Sequence, residues 1–113
     1  MLKQLSIYAE NKKGALRAMT NALYEAGINI WGSVTNDGAE YGINRMVVSD
    51  PDKAKEVLTE KGYLCRFVDV LAVEIEDKPG ALNTLLSALL DSNVNVDYTY
   101  LSFNRDSSTP VMI

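Results

Sequence analysis

Two stretches of this chain are one motif written twice, and that duplication limits the fold more than any other feature. Residues 9–30 read AENKKGALRAMTNALYEAGINI and residues 75–96 read IEDKPGALNTLLSALLDSNVNV. At an offset of 66, Glu10, Lys12, Gly14, Ala15, Leu16, Ala22, Leu23 and Asn29 recur as Glu76, Lys78, Gly80, Ala81, Leu82, Ala88, Leu89 and Asn95. Ile28 and Ile30 become Val94 and Val96. Eight identities in 22 ungapped positions make this an internal repeat, so one structural unit is used twice.

The first copy spells out its elements. Leu5, Ile7 and Ala9 alternate with Gln4, Ser6 and Tyr8, the period of a half-buried strand. After the polar loop Glu10 to Lys13, Gly14 opens an amphipathic stretch. Leu16, Met19, Leu23 and Ala26 fall at helical spacing there, and Gly27 ends it. Ile28 to Thr35 reads as a second strand, Asn36-Asp37-Gly38 as a turn, and Gly42 to Ser49 as a third strand. Asp50 caps a helix with Pro51 in its first turn; Ala54, Val57 and Leu58 form its apolar face and Gly62 stops it. A strand from Tyr63 or Leu64 closes the unit.

The order is β-α-β-β-α-β, so the fold class is α+β: a ferredoxin-like unit with one antiparallel sheet and two helices on one face, repeated in tandem. No Gly/Ser/Pro linker separates the copies, and we expect the closing strand to run straight on through Ile75. Phe67, Leu71, Val73 and Ile75 alternate with Val68, Val70 and Ala72, which predicts a central, covered strand. The expected units are 1–67, complete, and 68–113, shortened to βαββ: a strand to Glu76, a helix from Gly80 to Ser92, a strand from Val94 to Phe103, and a last strand at Pro110 to Ile113. The shortened unit leaves a sheet edge for a partner chain or for more of a longer polypeptide to cover. It also predicts a homo-oligomer, a dimer in the simplest case.

Composition removes whole classes of chemistry. With no histidine, Ser-His-Asp and Cys-His catalysis and every His metal site are out of reach. The single cysteine, Cys65, forms neither an internal disulfide nor a CxxC centre, and is read as a small buried hydrophobe. Fifteen acidic against eleven basic residues give a net charge of −4, which argues against nucleic acid as a partner. No apolar run approaches a membrane span or a signal peptide, so the expectation is a soluble, cytoplasmic protein with no membrane partner. There is no Gly-rich phosphate loop and no convergent acid–base pair, so no enzyme activity and no cofactor are expected.

Glu10-Asn11-Lys12-Lys13-Gly14-Ala15-Leu16 and Glu76-Asp77-Lys78-Pro79-Gly80-Ala81-Leu82 resemble the loop-and-helix start of the ACT domain. Gly27-Ile28-Asn29-Ile30 and Asn93-Val94-Asn95-Val96 are similar to that family's second strand. The resemblance covers nearly the whole chain. It implies a free-standing tandem of regulatory modules that pair side by side and bind a small molecule, an amino acid above all, at the ACT–ACT interface. A detached regulatory subunit docking on a metabolic enzyme is the alternative.

Carried over residue by residue, the ligand-binding set is Asn11, Lys13, Gly14 and Asn29 in the first unit and Asp77, Gly80 and Asn95 in the second. The resemblance also implies unequal sites. An amide at position 11 accepts from an ammonium and donates to a carboxylate, whereas ionised Asp77 only accepts. Lys13 stands where the family, like Pro79 here, commonly has proline, so the first loop is the looser one.

Each of these residues also has a purely structural use. The glycines suit the turn with or without a ligand, and Asn11 and Asp77 serve equally as caps. Asn29 and Asn95 can instead hold backbone by side-chain hydrogen bonds. Leu82, Leu85, Leu86 and Leu89 are expected to face the core, with Leu90 partly at an interface. Glu74, Glu76, Lys12, Lys13 and Lys78 are expected in solvent.

Overall fold

The computed structural model describes residues 2–10, 12–37, 41–103 and 110–113. Among the described residues, seven strands and three helices follow in the order β1 (Leu2–Glu10), α1 (Ala15–Glu25), β2 (Ile30–Asp37), β3 (Tyr41–Val48), α2 (Pro51–Glu60), β4 (Leu64–Val70), β5 (Val73–Glu74), α3 (Ala81–Asp91), β6 (Leu101–Phe103) and β7 (Pro110–Met112). The chain divides into two compact units, Met1–Val70 and Leu71–Ile113.

In the first unit the four strands lie in the order β2-β3-β1-β4, all neighbours antiparallel. Leu5, Ile7, Met46, Val48 and Cys65 share the face covered by α1 and α2. They pack with Met19, Ala22 and Leu23 of α1, Ala54 and Leu58 of α2, and Ile28. The helix ends follow the expected chemistry. Asp50 Oδ1 accepts from Lys53 N at 3.2 Å with Pro51 in the first turn. After α2, Gly62 has φ +91° and Tyr63 N donates to Leu58 O at 3.0 Å.

The repeat is a repeat in structure. Gly14 (φ 85°, ψ −5°) and Gly80 (φ 86°, ψ −6°) start α1 and α3 in the same left-handed conformation. Ala15 N donates to Lys12 O and Ala81 N to Lys78 O, both at 3.2 Å. At the other helix ends Ile28 N reaches Leu23 O at 3.0 Å and Val94 N reaches Leu89 O at 2.9 Å. Gly27 (φ 73°) and Asn93 (φ 58°) occupy the same position, and asparagine is the side chain that best tolerates it.

Several expectations need correction. The closing strand does not run on: β4 ends at Val70, β5 begins at Val73, and the two belong to different sheets. Each stands at the edge of its sheet rather than at the centre, because a strand that changes partners must break its ladder where it does so. Leu71, in the break, is 54% exposed.

The second strand starts at Ile30, two residues late, since Ile28 closes the C-terminal turn of α1. It also takes in Asn36 and Asp37, where the sequence predicts a turn; Gly38 lies outside the described residues. In the second unit, ordered β5-β7-β6, the strand expected from Val94 is regular only over Leu101–Phe103. Its partner β7 is three residues long, and the pairing extends only to Tyr100, which exchanges two hydrogen bonds with Ile113.

The leucines of α3 are not core: no residue of that helix is buried, and Leu82, Leu86 and Leu90 are exposed. The described elements of this unit are one helix and three strands, without a second helix like α2. Conversely Gln4 and Ser6, on the polar side of β1, are buried, and Gln4 Nε2 donates to Ser6 Oγ at 3.2 Å.

Candidate functional site

The loop between β1 and α1 separates two hollows. The first, about 240 Å3, is lined by Ala9, Glu10, Lys12, Ala15, Leu16, Met19, Thr35, Gly42 and Asn44. The second, about 650 Å3, shares Ala9, Glu10, Lys12 and Ala15 and adds Lys13, Gly14, Lys61 and Tyr63 among others. Gly14 shapes this loop: its positive φ turns the chain into α1 with no side chain capping the helix. Past Ala15, whose N–H donates to Lys12 O, first-turn N–H groups have no side-chain cap and face solvent or an anion.

The smaller hollow has an amphiphilic wall. Ala9, Ala15, Leu16 and Met19 give it an apolar side. Lys12 and Glu10 stand at the loop, paired at 3.6 Å and each 70% exposed. An exposed pair of this kind is worth little, so either partner can turn to a ligand at small cost. Buried Asn44 bonds the hydroxyls of two exposed residues of β2: Ser33 Oγ donates to Asn44 Oδ1 at 3.3 Å, and Asn44 Nδ2 donates to Thr35 Oγ1 at 2.7 Å. Together these groups can hold a molecule that carries opposite charges and an apolar body.

The sequence-derived site residues fall in several places. Lys13 and Gly14 line the larger hollow, and Asn11 lies outside the described residues. Asn29 is at the far end of the sheet. β1 and β2 run parallel, because both are antiparallel to β3; Gly42 faces Ala9 while Val48 faces Ile30. Six strand residues put Asn29 about 20 Å from the loop, so within one unit the two do not meet. Its backbone is fixed by Ser49, with Asn29 N donating to Ser49 Oγ and Ser49 N to Asn29 O, both at 2.9 Å. In the second unit Asp77 and Gly80 occupy the corresponding loop, and exposed Asn95 Nδ2 donates to Asp97 Oδ1 at 3.3 Å.

Thr35, Asn44 and Met19 were missed as site residues. One signal was available: Asn44 keeps the period of Met46 and Val48, so a polar residue stands in an apolar register. Glu76, expected in solvent, is exposed but pairs with Lys78 at 2.8 Å, mirroring Glu10 and Lys12. Burial pushes the Cys65 thiol pKa up, only partly opposed by Thr59 and Lys55. Among the described residues no group of three or more Cys, Asp or Glu is placed to hold a metal, and no helix is long and apolar enough to cross a membrane.

No curated protein matches the chain at a significant level. Among solved structures, protein BT0572 from Bacteroides thetaiotaomicron is 36% identical with a TM-score of 0.88, over 99% of this chain and 77% of that one. The ligand-free regulatory subunit of aspartate kinase from Thermus thermophilus has the same fold at 14% identity, TM-score 0.71, over 97% of this chain and 79% of that one. A structure of aspartokinase alpha and beta subunits matches at 16% identity, TM-score 0.64, over 99% and 84%. The family profile described as an ACT domain pair matches residues 1–109. With the doubled loop-helix motif and the β2-β3-β1-β4 sheet, this match makes the chain a member of the ACT domain-pair family.

Proposed function

We propose that the chain is a non-catalytic, cytoplasmic regulatory module that binds a small metabolite, an amino acid above all, at the β1–α1 loop of its first ACT unit. Residues 1–67 form the complete unit on this reading and 68–113 the shortened one. The observation that carries it is the 240 Å3 hollow, where a cation, an anion and an amide surround apolar side chains. That volume is below the range for drug-sized ligands and suits a zwitterion with a short side chain. The likeness to the regulatory subunit of aspartate kinase from Thermus thermophilus supports a regulatory role.

Asn29 enters this site through a second copy. β2 is a terminal strand of its sheet, and β2 pairs laid antiparallel would bring the Asn29 end of one copy to the Gly14 end of the other. A dimer built this way joins both sets of expected residues at an ACT–ACT interface.

The test is thermal unfolding of dialysed protein against the twenty amino acids. A ligand at 100 times its Kd stabilises by about 2.7 kcal/mol. For a chain of this size that is a rise in Tm on the order of 10 °C. A selective rise is expected; no rise with any amino acid would remove this reading. A second reading, docking on a metabolic enzyme without a ligand, is favoured by the exposed row Leu82, Leu86 and Leu90 on α3. It predicts that charged substitutions in that row abolish co-purification of an enzyme, and that no amino acid raises Tm.

A further inference from the structure

We infer that Asn44 and Thr35 set the specificity of this hollow, selecting a neutral polar side chain, a hydroxyl or a carboxamide, over its apolar isostere. The inference rests on the amino-acid reading above and adds the class of side chain.

The argument begins with a β-bulge. Ile30 faces Val48 and Gly32 faces Val47, so the register slips by one residue at Trp31. Without the slip, Gly32 and Val34 would follow Ile30 onto the helix-covered face. With it, Ser33 and Thr35 take that face, opposite Met46 and Asn44. Bulges re-aim side chains in this way, and here one exchanges a valine for two hydroxyls.

Asn44 is 3% exposed on the face that elsewhere buries Leu5, Ile7 and Met46. A carboxamide there is costly unless bonded. Its two bonds to Ser33 and Thr35 use one of its two N–H donors and one of its carbonyl lone pairs. Ser33 spends its hydrogen on Asn44, while Thr35 accepts and keeps its own. A donor and an acceptor on Asn44 and a donor on Thr35 thus remain, and both residues line the hollow.

An apolar side chain seated there would cover these groups without replacing water's hydrogen bonds. A carboxylate would meet no buried cation, since Lys12 is at the exposed loop and Glu10 stands beside it. A hydroxyl or carboxamide both donates and accepts, and matches what remains.

The experiment compares isosteric pairs, threonine with valine and asparagine with leucine, by calorimetric titration of the full chain. Three proteins are used: the unmodified chain, Thr35→Val and Ser33→Ala. Unfolding followed by Trp31 fluorescence checks the fold of each variant. Thr35→Val keeps the shape and removes both the free donor and the acceptor of the Asn44 amide. The polar member of at least one pair should bind at least about tenfold tighter to the unmodified chain, as one hydrogen bond covered by the bound ligand implies. Thr35→Val should erase most of that preference, and Ser33→Ala, whose hydroxyl bonds Asn44 but does not line the hollow, should keep it. Amino-acid binding with no polar preference, or a preference that Thr35→Val leaves intact, would overturn this inference alone. Binding of none of the four amino acids overturns it as well, and the twenty-member panel then decides whether the amino-acid reading falls with it.

Discussion

Replacing Gly14 by alanine isolates what the loop conformation itself requires. Gly14 sits at φ 85°, ψ −5°, and a Cβ built there meets nothing within 4 Å. Steric clash is therefore absent, and the cost is that of holding an L-residue in the left-handed region, about 1–2 kcal/mol. Restricting the unfolded chain returns about 0.4–1 kcal/mol. The net expectation is a loss of about 1 kcal/mol, or about 4–8 °C in Tm for a unit of this size. Gly14→Asn should lose less, because asparagine enters this region more readily; the same position at the end of α3 is already held by Asn93 at φ 58°.

The assay is thermal unfolding followed by Trp31 fluorescence, since the chain has one tryptophan and it lies in β2. Gly80→Ala, at φ 86° and ψ −6° with no atom in reach, should cost the same when followed by circular dichroism. A Gly14→Ala protein as stable as the parent would show that the loop does not need its left-handed residue. A loss above about 3 kcal/mol would mean contacts rather than backbone set the cost.

Two further contrasts follow from burial. Leu58→Ala, at a fully buried position, should destabilise by about 2–5 kcal/mol in urea unfolding, whereas Leu90→Ala, at 76% exposure, should stay within about 0.5 kcal/mol. Burial raises the Cys65 thiol pKa, so the folded state holds its proton at pH values where the unfolded chain has released it. Stability should then fall as pH rises through the ordinary thiol value, with no effect below it. Cys65→Ala should lack that part of the decline, as urea unfolding of both proteins at pH 7 and pH 10 will show; parallel declines would contradict it.

The repeat, the capped helices and the strand order were legible because each is written locally. Gly14 and Gly80 open the helices, Asp50-Pro51 starts α2, and alternation marks β1. What was not legible depended on partners. Val68 to Ile75 has the composition of one buried strand, but the break at Leu71-Ala72 depends on which sheet each half joins. The spacing of Leu82, Leu86 and Leu89 shows which face of α3 is apolar without showing what lies over it. The site was hidden by the bulge at Trp31: period-two reading sends Val34 to the helix-covered face, and only the slipped register brings Ser33 and Thr35 to Asn44. Asn29 was read with the loop because both belong to the family motif; the parallel course of β1 and β2 puts them at opposite ends.

The most direct test of binding in this hollow is an amide chemical-shift map of the 15N-labelled chain, titrated with the amino acid that raises Tm most. Binding beside the β1–α1 loop predicts the largest changes at Lys12, Ala15, Leu16, Thr35 and Asn44, saturating together at a single Kd. Changes confined to α3 and β5–β7, or none at saturating ligand, would contradict it.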